Sequence, residues 1–317
     1  MVDSAQQKGE KEGSMGFFDL QVNGYGGVDF NGDDLDPACV DAVCARLAGE
    51  GVDGILVTII TDFLPAMEAR LKRLVELRGS IPSLRQIMRG FHIEGPFINP
   101  AEGYRGAHLE DAVIMADKSA MQRLLDASNG LTRVVTLAPE QDPGLGITRM
   151  LARSNIVVSA GHTNASLDEL RAAIDSGLTM FTHLGNGCPP NLPRHDNILN
   201  RVLSLRERLW VCFIADGAHI PYFALKNYLD LVGIDKSIVV TDAISAAGLG
   251  PGSYRLGRWE LKIGEDGIAR SLDGSHMVGS TTTMKESLTN LTEKLGLGEE
   301  SAWMLVDGNP RRAIGEP

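Results

Sequence analysis

Short apolar runs alternate with longer amphipathic stretches along most of this chain. The runs are rich in Val, Ile, Leu and Phe, a pattern typical of strands that are buried on both faces of a parallel sheet. Turn-forming residues such as Gly, Asn and Asp follow several of them. The pattern predicts eight strands, at residues 17–22, 54–59, 86–94, 132–138, 155–161, 178–184, 209–215 and 237–243.

Between these strands, apolar residues recur every three or four positions, which is the spacing of one helix face. Such stretches cover residues 37–50, 66–78, 119–128, 166–177 and 221–233. Strands that alternate with helices predict an α/β fold of the (β/α)8 TIM-barrel type, and a doubly wound open sheet is the alternative. A glycine-rich segment at 248–280 follows the last strand and includes a predicted hairpin at 259–270.

Single polar residues stand at the ends of several predicted strands. The third strand ends in FHIEGPF, where His92 and Glu94 share one face because side chains alternate along a strand. His162, His183 and Asp242 end the fifth, sixth and eighth strands. Because the carboxyl ends of barrel strands form one mouth, we expect these side chains to converge there.

The residue types at this mouth are those of a catalytic metal site. Three protein ligands and one water are typical of catalytic zinc, and Glu94, His162 and His183 would supply the three. Asp242 would accept a proton from the water and pass it to a leaving group, which suits hydrolysis of an amide or ester. Taken singly, each residue has a structural alternative: a helix cap, an ion-pair partner or a satisfied core histidine.

The composition of the chain limits the classes of molecule that the protein could bind. The 317 residues carry a formal net charge of -11, which argues against electrostatic binding of nucleic acid or of an anionic membrane, although a small anionic substrate remains open. No apolar run approaches the roughly 18 residues of a membrane span. The four cysteines form no CxxC pair and predict reduced thiols in the cytoplasm. Residues 1–16 predict a disordered tail, and residues 17–317 a single barrel domain.

Several segments together resemble N-acetylglucosamine-6-phosphate deacetylases, a family of the amidohydrolase superfamily. The resemblance covers about residues 17–315 and is most specific in HIEGPF, SAGHTNAS and ADGAH. It implies a metal-dependent hydrolase that removes acetyl from N-acetylglucosamine 6-phosphate, a small-molecule amino sugar phosphate. The segments that carry it are FFDLQVNGYGGVDFN, GFHIEGPFIN, GYRGAH, VTLAPE, VSAGHTNAS, THLGNG, IADGAHI, VTDAISAAG and GSTTTM.

The resemblance implies that Glu94, His162 and His183 bind the metal and that Asp242 is the catalytic acid and base. Many superfamily members carry His-x-His at the end of the first strand for a second metal, where this chain has Gln21 and Asn23. Amide side chains are poor ligands, so we expect one divalent ion per chain, with Zn2+ favoured and Fe2+, Mn2+ or Co2+ as alternatives. His92 is expected to support the ligands rather than to join them.

The resemblance also implies substrate contacts. His108 would contact the acetyl carbonyl, and Asn186, Gly187 and His219 would contact the sugar phosphate. Arg194 falls at the spacing of an arginine that reaches the phosphate across a homodimer. Without the resemblance, Asn186-Gly187 would be interpreted as a turn, and His108 and Arg194 as solvated loop residues.

The chain departs from the family pattern at three places. The β-sandwich that family members build from both chain ends is expected to be absent or vestigial. Arg-Glu-Pro-Gly in the substrate loop is replaced by the sequence at residues 194–197, and His276 precedes a segment that is usually apolar. The alternatives are therefore an amidohydrolase for another N-acyl amino sugar or a cyclic amide, and a non-catalytic sugar-phosphate-binding protein.

Overall fold

The structure, a computed structural model, describes residues 16–274 and 277–317. His276 and residues 1–15 of the predicted tail lie outside the described residues, so the predictions made for them stay predictions. The described part contains thirteen strands: β1 (Phe17–Val22), β2 (Gly24–Tyr25), β3 (Val28–Asp29), β4 (Val52–Ile60), β5 (Met88–Glu94), β6 (Thr132–Leu137), β7 (Val157–Ala160), β8 (Leu178–Phe181), β9 (Trp210–Ile214), β10 (Ser237–Val240), β11 (Gly252–Leu256), β12 (Trp259–Ile263) and β13 (Ala269–Ser271).

All eight predicted barrel strands are present. They pair in parallel in the order β1-β4-β5-β6-β7-β8-β9-β10. A parallel bridge between Val22 and Ala243 joins the ends of the first and last of these strands, so the sheet is nearly closed. The (β/α)8 barrel prediction is confirmed, and the open sheet is excluded. The third predicted strand begins two residues late because Pro82–Ile87 form a short helix instead.

Helices cover the outside of the barrel. Aspartate, serine, asparagine and threonine caps begin several of them; Ser166, for example, accepts a hydrogen bond from the backbone of Glu169 in a capping box. The α-helices of the described residues are α1 (Pro37–Gly49), α2 (Leu64–Ser80), α3 (Pro82–Ile87), α4 (Lys118–Ala127), α5 (Gly146–Arg153), α6 (Leu167–Asp175), α7 (Ile198–Ser204), α8 (Tyr222–Val232), α9 (Met284–Thr289), α10 (Glu299–Trp303) and α11 (Asn309–Ile314).

Two apolar clusters hold the barrel together. The larger one lies between the strands and the helices, and it includes Val57 from β4 and Leu71 from α2. The smaller one contains residues of alternating position on the strands, such as Phe18 and Leu20 on β1, together with Ile314 of α11. The strands are therefore apolar on both faces, which leaves their carboxyl ends as the place for polar chemistry.

The glycine-rich segment after β10 folds as a three-stranded antiparallel sheet, β11-β12-β13. The predicted hairpin corresponds to β12 and β13, and β11 is an additional strand. Within residues 16–274 and 277–317 the structure holds no β-sandwich beside the barrel. In the same residues, no helix combines the length and the apolar character that crossing a bilayer requires.

Candidate active site

The predicted site residues lie where the barrel strands end. Glu94 is the last residue of β5. His162, His183 and Asp242 each follow a strand by two residues, after β7, β8 and β10. All three have a left-handed backbone, with φ of +50°, +32° and +52°. Residues other than glycine rarely adopt this backbone conformation, and those that are held in it cluster at functional sites.

Glu94, His162 and His183, the Glu–His–His triad, bring three ligand atoms together. The His183 Nε2 and Glu94 Oε1 atoms are 3.0 Å apart, and the two Nε2 atoms of His162 and His183 are 3.2 Å apart. His162 Nε2 lies 3.4 Å from the same carboxylate oxygen. Ligands about 2.0–2.1 Å from a tetrahedral metal are separated by about 3.3 Å. The triad therefore fits one small divalent cation, and its members are all buried.

Backbone contacts fix the ring of His162 in the orientation that a ligand needs. Its Nδ1–H donates to the Tyr104 carbonyl oxygen at 2.8 Å, which leaves Nε2 bare and directed at the other two ligands. Gly106 and Gly187 lie against this ring. A Cβ on Gly187 would come within 2.8 Å of His162 Nδ1, and one on Gly106 within 3.1 Å of Cε1.

Charge at the triad is balanced by close contacts. Burial would raise the pKa of Glu94, but its close contacts with the rings of His162 and His183 together outweigh it and hold that pKa well below its usual value. The carboxylate is therefore ionised, as a metal ligand must be. The Nδ1 atom of His183 is fully buried and has no hydrogen-bond partner among the described residues.

Two amide side chains at the end of β1 hold Asp242 beside the triad. Gln21 Nε2 donates to Asp242 Oδ1 at 3.0 Å and to Glu94 Oε1 at 3.2 Å, and Asn23 Nδ2 donates to the same Asp242 oxygen at 2.7 Å. The second oxygen, Oδ2, has no hydrogen-bond partner among the described residues. Burial, with Glu94 adding to it, raises the pKa of Asp242 to about 6.

His108 lies on the other side of the triad. The backbone N–H of Thr61 donates to His108 Nδ1 at 3.3 Å, so a neutral ring carries its hydrogen on Nε2. That Nε2 lies 3.2 Å from His162 Nε2. Burial lowers the pKa of His108 to about 3, so the ring is neutral near pH 7. The geometry provides a hydrogen-bond donor directed at the triad.

His92 lies below the triad and is hydrogen-bonded within the barrel. Its Nδ1–H donates to the Leu20 carbonyl at 3.1 Å, and its Nε2 accepts from the Thr136 hydroxyl at 2.7 Å. Hydroxyl contacts of 2.7 Å continue the chain from Thr136 to Thr182 and from Thr182 to Ser159. Burial lowers the pKa of His92 to about 4, so the ring is a neutral link between strands.

The remaining predicted contacts lie in loops around the mouth. Asn186 forms a turn, in which its backbone N–H donates to the His183 carbonyl at 2.9 Å. His219 pairs with Asp216 and is close enough to Asp242 to lower its pKa. Arg194 is exposed and makes no hydrogen bond or ion pair with any described residue.

Three contributors to the site are absent from the sequence-based prediction: Thr61, Tyr104 and Gly106. Thr61 and Tyr104 act through backbone atoms, so their side chains carry no signal of the role. Gly106 lies in the GYRGAH segment, and only the packing of His162 against it shows why a glycine stands there. The roles of the predicted site residues themselves stay predictions.

Comparison with models of known protein families gives no match. The chain is nevertheless similar in sequence to individual known proteins. The chain is 32% identical over 310 residues to N-acetylglucosamine-6-phosphate deacetylase of Bos taurus, covering 95% of this chain and 74% of that protein. It is 29% identical over 299 residues to N-acetylgalactosamine-6-phosphate deacetylase of Escherichia coli O157:H7, covering 94% of this chain and 77% of that protein.

A solved structure supports the same relationship. A variant of N-acetyl-D-glucosamine-6-phosphate deacetylase from Mycobacterium smegmatis, in complex with N-acetyl-D-glucosamine 6-phosphate, matches with a TM-score of 0.83 and 29% identity. The match covers 95% of this chain and 77% of that one. With this level of identity over nearly its whole length, the chain belongs to the N-acetylglucosamine-6-phosphate deacetylase family of amidohydrolases.

Proposed function

We propose that this protein hydrolyses the N-acetyl group of N-acetylglucosamine 6-phosphate and releases acetate and glucosamine 6-phosphate. The observation that carries the proposal is the placement of Asp242 beside the Glu–His–His triad, with Gln21 bonded to both Asp242 and Glu94. A non-catalytic sugar-phosphate-binding protein would have no need of a half-buried carboxylate held beside three such ligands. The relatives named for this reaction support the choice of substrate.

The triad would hold one divalent cation, which would polarise the acetyl carbonyl and lower the pKa of a water molecule. Its Glu/His/His donor set favours Zn2+, and Fe2+, Mn2+ and Co2+ remain alternatives. Gln21 and Asn23 stand where a second metal would need histidines, and both donate hydrogen bonds to Asp242 instead. A single ion therefore fits the residues present.

His108 and Asp242 would perform the proton and charge chemistry. His108 donates its Nε2–H to the carbonyl oxygen as negative charge develops there. Asp242 takes a proton from water on its free Oδ2 while the water oxygen bonds to the carbonyl carbon. It then gives that proton to the sugar nitrogen as the C–N bond breaks, so that acetate and an amine leave and Asp242 is again ionised.

The substrate loops would hold the sugar phosphate. Asn186, Gly187 and His219 surround the mouth and are proposed to contact it. Arg194 is exposed and unpaired among the described residues, which suits an arginine that reaches the phosphate of a partner subunit in a homodimer. The changed sequence at 194–197 leaves a second candidate, N-acetylgalactosamine 6-phosphate, which is supported by the relative from Escherichia coli O157:H7.

The test is acetate release by the metal-loaded protein from both 6-phosphates and from unphosphorylated N-acetylglucosamine. We expect turnover of a phosphorylated sugar and a loss of about 10²–10⁴-fold in kcat for Asp242→Asn, with metal still bound at about one ion per chain. Glu94→Gln should lose the metal as well as the activity. Undiminished turnover in Asp242→Asn would refute the assigned role, and no acetate from any of the three sugars would refute the proposed substrate.

A further inference from the structure

The GSTTTM segment at residues 279–284 has no part in the chemistry proposed above, yet it lies against the catalytic aspartate. The backbone N–H of Ser280 donates to the Asp242 carbonyl at 2.9 Å. Gly279 has φ of +56°, and a Cβ there would come within 3.1 Å of the same carbonyl oxygen. The segment is therefore packed closely against the backbone that carries Asp242.

The side chain of Ser280 points to a different residue. Its hydroxyl accepts from the Thr282 N–H at 3.0 Å and donates to Asp216 Oδ2 at 3.3 Å. Asp216 is otherwise held by its own loop, because Oδ1 accepts from the backbone N–H groups of Ala218 at 2.9 Å and His219 at 2.8 Å. This carboxylate is thus fixed from two separate segments of the chain.

The helix that follows the Asp216 loop, α8, also contacts this loop. The Tyr222 hydroxyl donates to the Asp216 carbonyl at 3.2 Å. Gly217 has φ of +78°, and a Cβ there would come within 2.5 Å of the Tyr222 ring. A glycine is needed at this position, both for its backbone conformation and for the space that the tyrosine fills.

This arrangement determines which nitrogen of His219 carries the ring hydrogen. Asp216 Oδ2 lies 2.6 Å from His219 Nδ1. Burial would raise the pKa of Asp216, but the contact with the His219 ring and the backbone N–H groups of His219 and Ala218 together outweigh it and lower the pKa. An ionised carboxylate only accepts hydrogen bonds, so Nδ1 must be the donor. When the ring carries a single hydrogen, Nε2 is bare.

We propose that Asp216 is a positioning residue, tied by Ser280 to the segment that holds Asp242, and that it presents His219 Nε2 as a bare acceptor for a sugar hydroxyl. Nε2 has no hydrogen-bond partner among the described residues and is not fully buried, so it is available to a ligand. The choice of a sugar as ligand rests on the proposed function, whereas the state of the ring does not.

The first test is a nitrogen-15 NMR spectrum of the histidine rings in the metal-loaded protein, with the His219 signals assigned from a His219→Gln variant. We expect a protonated Nδ1 and a bare Nε2 in the wild type at pH 8. Asp216→Asn should populate the form with hydrogen on Nε2, because an amide NH2 group can donate to Nδ1. A wild-type ring that carries its hydrogen on Nε2 alone would overturn the proposal.

The second test separates KM from kcat for the sugar phosphate that the protein turns over. Asp216→Asn should raise KM about fivefold and change kcat by less than about threefold, since one substrate hydrogen bond contributes about 1 kcal/mol. Ser280→Ala, which removes one of the donors to Asp216, should raise KM about two- to threefold and leave the ring hydrogen on Nδ1. An unchanged KM in both variants would overturn the role of Asp216.

A matched control and an independent readout keep the tests decisive. Asp230→Asn removes a carboxylate from the same strand–helix unit, where Lys226 on the surface is its one side-chain partner among the described residues, and should leave KM and the His219 spectrum unchanged. The spectra require no turnover, so failure of the proposed substrate would not alter what they report. If Asp216→Asn does not fold, the wild-type spectrum and Ser280→Ala decide the question.

Discussion

Gly187 shows how a single missing side chain shapes the proposed metal site. Its φ of +60° favours glycine, and its Cα hydrogens face the ring of His162. We predict that Gly187→Ala displaces that ring, because a Cβ would lie within 3.1 Å of three ring atoms. Metal affinity, measured by competition with a chelator, should fall by about tenfold or more.

Gly144 provides the matched control for this substitution. It has φ of +75°, but a Cβ there would meet no atom within 4 Å. Gly144→Ala should therefore carry the backbone cost of about 1–2 kcal/mol in unfolding free energy and leave metal affinity unchanged. Equal metal affinities for the two alanine variants would show that the His162 ring tolerates the added methyl group.

How much of this site the sequence predicts depends on whether a role is carried by a side chain or by the backbone. The Glu–His–His triad and Asp242 follow from polar residues at predicted strand ends, because parallel strands bring those ends together. The hydrogen positions on the histidine rings do not follow. They depend on the carbonyl of Tyr104 and the N–H of Thr61, and every residue except proline has both groups.

The elements were predicted to a similar degree. The apolar runs predicted all eight barrel strands, since strands buried on both faces have few polar positions. The ends of the elements were less certain, and β5 begins at Met88 because Pro82 starts a helical turn before it. β11 was missed because Gly252–Leu256 contain a single strongly apolar residue, Leu256, so they form no apolar run.

One of the contacts that join the sheet β11-β12-β13 to the barrel is an arginine cluster around the buried Asp62. Arg70 of α2 lies 2.9 Å from Asp62, which follows β4, and 3.0 Å from Asp33. Arg258, in the turn between β11 and β12, also binds Asp62, at 3.0 Å. Asp62 is 4% exposed, whereas Asp33 is 72% exposed. The guanidinium group of Arg70 therefore has one buried partner, Asp62, and one solvated partner, Asp33.

We predict that Asp62→Asn lowers the free energy of unfolding by about 3–5 kcal/mol, because it leaves the buried guanidinium of Arg70 without its buried countercharge. Asp33→Asn should cost less than about 1 kcal/mol, as is usual for a partner in solvent. Urea denaturation of both variants provides the measurement. Similar losses in the two would mean that burial does not decide the strength of this cluster.

Closure of the barrel depends on a seam between the first and last barrel strands, and a buried acid lies in it. Asp19 of β1 accepts hydrogen bonds from the Thr241 N–H at 3.2 Å and the Thr241 hydroxyl at 2.5 Å, beyond the end of β10. It also accepts from the Gln21 N–H at 3.1 Å. Burial nevertheless outweighs these bonds and raises the pKa of Asp19 to about 7.

This raised pKa predicts how the stability of the whole molecule depends on pH. An unfolded aspartate has a pKa of about 3.9, so between about pH 4 and pH 7 the folded chain binds one proton more than the unfolded chain. The contribution of Asp19 to the free energy of unfolding is therefore complete below about pH 4 and is lost as the pH rises toward 7.

Between pH 5 and pH 8 the free energy of unfolding of the wild type should fall by about 3 kcal/mol relative to that of Asp19→Asn, as measured by urea denaturation at both pH values. Asp168→Asn, which removes a carboxylate that is 93% exposed, should follow the wild type. Parallel pH profiles for Asp19→Asn and the wild type would mean that Asp19 is ionised in the folded barrel throughout this range.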